Sequence, residues 1–236
     1  MRRIFSLVVV LALLLAVDRG AAWLADQALA SKIQHSAKLT SPPAVNIEGF
    51  PFLVQLVTGR YKRVTVDVNE PASIHGVKID RFHGDLEGVH APLADVLGNK
   101  VTSLPVDQAT VAGHVSFAQL ESLVNERIAA DGLKLHLSQG EPGQLAVAGE
   151  VATPLGNITL RAHAHVSVDH GRLHLALDPQ DLQQLPGIVR DVLTQAVPTS
   201  FELPTLPMGF VVTSASVDAS GVNLVAQAQH TVLALR

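Results

Sequence analysis

The pattern of apolar and polar positions divides this chain into an unbroken greasy start and a long body of short-period alternation. From Ile4 to Val17 the run IFSLVVVLALLLAV is apolar or small at all 14 positions. That length suits a signal-peptide core better than a full membrane span of about 20 residues. Arg2 and Arg3 precede the run, and Asp18 and Arg19 follow it where a cleavage site wants small residues, so an uncleaved anchor is as readily written as a signal peptide over residues 1–19. Beyond it, alanine content and the spacing of Trp23, Leu24, Leu29 and Ile33 predict a helix from Gly20 to about Ala37, which Pro42 and Pro43 stop.

Strand alternation then takes over. Val64, Val66 and Val68 share one face and Thr65 and Asp67 the other. Val77 and Ile79 alternate with Lys78 and Asp80, with Gly76, Gly84 and Gly88 as candidate bulges or turns, and further strands are predicted at 101–104 and 110–115. The segment 116–132 is the best helix: Ser116 and Gln119 have capping-box spacing, Phe117, Leu120, Leu123, Val124 and Ile128 form an apolar stripe, and Gly132 ends it. Leu133, Leu135 and Leu137 then alternate with Lys134 and His136.

The most legible hairpin is ITLRAHAHVSVDHGRLHLAL. A two-residue turn at His170 and Gly171 sets Asp169 opposite Arg172, Val168 opposite Leu173, Val166 opposite Leu175 and Ala164 opposite Leu177. His163, His165, Ser167 and His174 then fall on the other face, a register that a one-residue slip would invert. A helix from Asp181 to Gln195 carries Leu185, Ile188, Val189, Val192, Leu193 and Ala196 on its buried side, with Pro186 inside it. A proline-rich apolar connection, VPTSFELPTLPMGF, leads to a closing hairpin around Asp218–Gly221. These elements predict an α+β domain over residues 20–236, an antiparallel sheet with one apolar face and one or two helices laid against it.

Composition sharpens that picture. Charged residues are 16% of 236 against 47% apolar, so some apolar surface is available to face something other than water. The net charge of −4, or −6 without the first 17 residues, offers no field to attract nucleic acid. With no cysteine there is no disulfide, thiolate ligand or thiol nucleophile. No GxSxG, HExxH, GxxxxGK[ST] or strand-linked GxGxxG occurs, and neither a cofactor nor catalysis is predicted.

His163, His165 and His174 share a strand face without a carboxylate to close a metal site, and His75, His83 and His90 recur beside glycines as surface or turn residues. Asp85 and Glu87 share another face and read as a charged outer surface. Arg60, Lys62 and Arg63 are the densest basic cluster outside the N-terminus, suited to an anionic headgroup or to solvent. An open sheet curled around a helix can enclose more apolar wall than its side chains fill. Each acyl methylene buried there would contribute up to about 0.8 kcal/mol. A wholly filled core has the same periodicity, so a membrane-tethered structural or partner-binding module is the alternative.

The stretches VNIEGFPFLVQLVTGRYKRVTVDV, VKIDRFHGDLEGVHAPL, VSFAQLESLVNERIAADGLKLHL and LPTLPMGFVVTSASVDASGVNLVA resemble the actinobacterial LmeA-like family of phospholipid-binding proteins. The resemblance runs from Trp23 to nearly the C-terminus. It is carried by Gly49, Phe50, Pro51, Phe52, Leu53, Gly59, Arg60 and Tyr61, then by Leu206, Pro207, Gly209 and Phe210. It implies an exported, often anchored protein similar in fold to tubular lipid-binding domains, with a highly curved antiparallel sheet wrapped around a helix. It also implies binding of phospholipids such as phosphatidylinositol species, and support of lipomannan elongation as in mycobacterial relatives. Gly49 and Pro51 are expected to set a tight entry to the sheet, with Phe50 and Phe52 plugging one end of the core.

The expected lipid-contacting residues are Phe50, Phe52, Leu53, Leu56, Arg60, Tyr61, Phe117, Leu120, Val124 and Phe210. Arg60, Lys62 and Arg63 are expected at an anionic headgroup, Arg60 first because a guanidinium pairs bidentately with phosphate. The expected partners are a phospholipid and the membrane holding the N-terminal segment, and the expected location is the cell envelope or periplasmic space.

Overall fold

A computed structural model of the chain describes residues 2–74, 77–97, 103–128, 133–153, 156–169, 172–184, 187, 190, 200–202 and 206–234. The first part of the chain carries α1 (Arg2–Ala37), β1 (Ala44–Glu48), α2 (Phe52–Thr58), β2 (Arg60–Val68), β3 (Ala72–Ile74), β4 (Val77–Ile79), β5 (Arg81–His90) and α3 (Leu93–Leu97). Then follow β6 (Ser103–Ser116), α4 (Phe117–Ile128), β7 (Leu133–Gln139), β8 (Gln144–Thr153), β9 (Gly156–Asp169) and β10 (Arg172–Leu177). The chain ends with α5 (Pro179–Gln184), β11 (Ser200–Glu202), a 3-10 turn at Pro207–Gly209, β12 (Val211–Val217) and β13 (Gly221–Ala234).

The fold is α+β with open sheets. Strands order as β1-β2-β5-β6-β13-β12 in one sheet and β11-β10-β9-β8-β7 in the other, with β3-β4 a separate hairpin. The pairings β1·β2, β2·β5, β7·β8, β8·β9, β9·β10 and β12·β13 are antiparallel. Contacts divide the chain into two compact units, one of Met1–Glu70, Phe82–Val111 and Ala228–Arg236, the other of Pro71–Arg81 and Ala112–Gln227.

In the first unit the apolar run and the alanine-rich segment are one helix, not two, because Asp18 and Arg19 do not break α1. The Asp18 carboxylate is buried, accepts the Leu53 N–H at the start of α2 (2.9 Å) and pairs with the Arg19 guanidinium (3.2 Å). Eight residues on, Asp26 Oδ1 accepts the Ile47 N–H of β1 (2.8 Å), and Ala22 and Ala30 are buried on the same helix. The valine face of β2 is as the alternation predicts: Val64 and Val68 are buried, and Asp67 pairs with His83 of β5 on the other face (2.6 Å).

Glycine conformations settle two local features of this unit. Gly59, at φ +66°, terminates α2 by donating its N–H to the Gln55 carbonyl, and an added Cβ would meet the Ala91 carbonyl at 2.9 Å. At φ +62°, Gly88 lets β5 change phase: Leu86 and Val89, three residues apart, both turn inward, as do Tyr61 and Val64 across the pair.

In the second unit, Leu135, Leu145, Val147, Ala162, Ala164, Val217 and Val222 form the core, with Phe117, Leu120 and Val124 of α4 packed against it. The β9·β10 register pairs Asp169 with Arg172, Val168 with Leu173, Val166 with Leu175 and Ala164 with Leu177, as predicted. α4 covers the edge strand β7 through polar side chains as well: Asn125 exchanges two hydrogen bonds with the Leu135 backbone (2.8 and 2.9 Å), and Glu121 accepts the Leu137 N–H (2.6 Å).

Several expectations change. The strands expected at 101–104 and 110–115 fall, over their described residues, in the single strand β6; its buried positions Val106 and Ala109 are three apart, so the strict alternation breaks between them while the strand itself continues. α2 was not predicted at all. The helix expected from Asp181 to Gln195 is described only as Pro179–Gln184; its apolar stripe lies outside the described residues, as do His75, the turn His170–Gly171 and Gly132.

Candidate functional site

The first unit is not packed solid. A cavity of about 550 Å³ lies between α1 and the sheet, lined on the helix side by Ala25, Ala28, Leu29 and Ile33. Facing them are Ile47 of β1, Val64 and Val66 of β2, Leu86 and Val89 of β5, Leu104 of β6 and Leu233 of β13. Phe52 and Leu56, four apart on α2, and Tyr61 complete the wall, while Ser31 and Lys32 bring polar atoms to it. The volume falls in the range of about 300–1,000 Å³ common for small-molecule sites.

Its cause is the size of the helix residues. Where α1 faces the sheet it presents Ala25 and Ala28, whose methyl groups do not reach the opposing valines and leucines, and close packing elsewhere in the unit fixes the gap. Phe52 is 1% exposed and its ring lies 6.3 Å from that of Tyr61, so aromatic side chains fill the α2 end of the cavity. Burial pushes the Tyr61 phenol above its ordinary pKa, which keeps this polar tip uncharged against the apolar wall.

A second pocket, of about 350 Å³, is lined by Gly49, Phe50, Gln55, Arg60, Lys62, Gly88, His90 and Asp107, and Tyr61 borders it as well as the cavity. Gln55 Oε1 accepts the Lys62 N–H (2.8 Å), whereas the buried Gln55 Nε2 has no hydrogen-bond partner. Two cations, Arg60 and Lys62, thus border this hollow, with Asp107 as the opposing charge.

Among the sequence-predicted lipid contacts, Phe52, Leu56 and Tyr61 line the apolar cavity, and Phe50, Arg60 and Tyr61 line the polar pocket. Leu53 is half-buried and is tied by its N–H to Asp18. Phe50 does not plug the core: it is exposed, and the Arg19 guanidinium stacks over its ring at 5.3 Å. Phe117, Leu120 and Val124 belong to the second unit and pack on its core, and Phe210 of that unit is half-buried.

Of the three headgroup candidates, Arg60 and Lys62 border the polar pocket. Arg63 is instead held by β5: its guanidinium pairs with Glu87 and with Asp85 (3.3 Å). The alanine face of α1 was read only as helix propensity, and the signal that it hollows the unit was the absence of large residues at 25 and 28.

From residue 16 to residue 227 the chain matches a family model described as LmeA-like phospholipid-binding. The protein belongs to that family. Among curated proteins and among solved structures no match was found. Membership in a phospholipid-binding family, together with an apolar cavity, supports lipid binding. The apolar N-terminal helix is long enough to cross a membrane and is compatible with a signal or an anchor.

Outside these pockets, two polar clusters among the described residues tie elements together. His163 donates its backbone N–H to Asp181 Oδ2 (2.7 Å) and pairs with it through Nδ1 (2.8 Å), docking α5 on β9. Ser220 Oγ meets His114 Nε2 at 2.9 Å, and Asp80 lies 3.8 Å from His114 Nδ1, an order that resembles a nucleophile, base and orienting acid. The hydroxyl also meets Asp218 Oδ1 (2.8 Å), and His114 is only 6% exposed, so the cluster pins the β12–β13 turn to β6. Among the described residues no group of three or more metal-ligating side chains occurs.

Proposed function

We propose that this protein is a membrane-anchored phospholipid-binding protein of the cell envelope that holds acyl chain in the α1–sheet cavity and makes or breaks no bond. The observation that carries this reading is the cavity itself, nearly wholly apolar in lining and walled on one side by the same helix that forms the N-terminal hydrophobic run. Ten buried methylenes at about 0.8 kcal/mol each would exceed any headgroup contact. Arg60 and Lys62, which border the neighbouring pocket, would meet a phosphate there, which favours an anionic lipid.

Retention of the anchor is supported by what α1 does after the apolar run. Cleavage near residue 19 would take away the Asp18 carboxylate that accepts the Leu53 N–H and the Arg19 contact to Phe50. In this reading the protein is exported, stays tethered, and holds or passes lipid for assembly of envelope lipoglycan. Mass spectrometry of the organic extract of the natively purified chain tests it. The expected result is phospholipid in near-stoichiometric amount, enriched in anionic species over the surrounding membrane; an extract with the bulk membrane composition would overturn the selectivity, and one without lipid the function.

A further inference from the structure

We infer that the outward face of α2, with Phe50 before it, is a second membrane contact that seats the first unit in the same leaflet from which α1 emerges. The inference rests on α1 spanning the membrane. The occupant it names is the bilayer.

Three observations converge on it. Ile4 to Val17 are 14 residues, so at about 1.5 Å each they cover roughly 21 Å, short of a hydrocarbon core of about 30 Å. About six more residues of α1 must therefore enter the leaflet or its boundary, which carries Asp18, Arg19 and Trp23 to that depth. Asp18 tolerates the position because its carboxylate is already satisfied by the Leu53 N–H and the Arg19 guanidinium.

Asp18 is also the residue that holds α2. The first turn of α2 is hydrogen-bonded to the helix at the depth where the membrane run ends, so α2 cannot lie far from the lipid boundary. Its two faces then divide sharply. Phe52 and Leu56 point into the cavity, while Val54 (56% exposed) and Val57 (72%) face away from it, and Phe50 (63%) is exposed beneath the Arg19 guanidinium. Apolar side chains at i and i+3 on a short helix, beside an exposed arginine that snorkels over Phe50, are the composition of an interfacial contact. Continuity with the membrane helix decides for lipid over a protein partner. It also brings the α2 wall of the cavity towards the bilayer surface.

The chain has no cysteine, so single labels are available in the full-length protein. Val54→Cys and Val57→Cys, each carrying a solvent-sensitive fluorophore, would be reconstituted in phosphatidylglycerol/phosphatidylcholine vesicles. Each would then be quenched either by lipids with a shallow nitroxide on the acyl chain or by aqueous iodide. A third label at Val10, in the middle of the apolar run, supplies the reference for lipid quenching.

Lipid quenching at both α2 labels, several-fold stronger than iodide quenching, is the expected result. Quenching by iodide alone would overturn the docking, and quenching by neither would mean that protein covers this face. The readout does not require an occupied cavity: lipid quenching in a protein from which no lipid can be extracted would keep the docking and remove the binding function.

Discussion

Under the proposed function, single residues divide into those that shape the cavity and those that would meet its ligand. Arg60 and Lys62 have similar positions in the sequence to Arg63, yet only Arg63 is neutralised by two carboxylates on the neighbouring strand. Arg60→Ala is therefore expected to lower affinity for anionic phospholipid roughly tenfold, the loss of one charge-assisted contact of about 1.4 kcal/mol, and to leave zwitterionic lipid nearly unchanged. Equal losses for both lipids, measured by vesicle binding at fixed ionic strength, would remove Arg60 from the headgroup. Asp26 works on the other side of the cavity. Asp26→Ala leaves the Ile47 N–H without its acceptor and is expected to cost about 1–3 kcal/mol in unfolding free energy, while Asp26→Asn, which keeps a carbonyl acceptor, costs less. Denaturant titration of both variants checks the order.

Among the elements, the register of β9 against β10 was legible, because strict alternation fixes it and a one-residue slip would turn histidines to the apolar face. α4 was legible from its stripe, and the structure adds that Asn125 and Glu121 cover the edge of β7. α2 was not, since seven residues rich in valine and leucine carry no period that separates helix from strand, and its first turn is held by Asp18, 35 positions away from Leu53. The cavity was hidden for a related reason: alanine in α1 announces helix, and only the facing sheet turns its small size into empty space.

The β12–β13 turn carries a pH dependence. Asp218 accepts the Ser220 N–H, its first cause of a carboxyl held well below the usual range, and also bonds with the Ser220 hydroxyl, Asn223 and the Gly221 N–H. Because the folded value lies below the unfolded value of about 3.9, the stabilisation is complete above that pH and is lost as pH falls through the folded value. Wild-type protein is expected to lose more stability than Asp218→Asn between neutral pH and pH values below about 3. Parallel pH slopes in thermal melts of the two proteins would contradict the assignment.

For the molecule as a whole, the sequence predicted a signal peptide or uncleaved anchor over residues 1–19 and a domain from residue 20, and in the structure one helix runs from the apolar run into the wall of the cavity. The apolar run and the helix wall of the cavity are thus parts of one element. Replacing Ala25 and Ala28 by Phe should fill the cavity and abolish lipid retention while leaving membrane attachment intact, a separation that membrane fractionation and lipid extraction measure side by side.

The most direct measurement is photo-crosslinking of the full-length chain in vesicles with a phospholipid carrying a diazirine midway along one acyl chain, followed by mapping of the modified peptides. Crosslinks on the 25–33 segment of α1 and on β2 and β5 around Val66 and Leu86 are predicted, since these line the cavity. Crosslinks confined to the exposed Ile4–Val17 surface would mean that the hydrocarbon never enters, and would contradict the account.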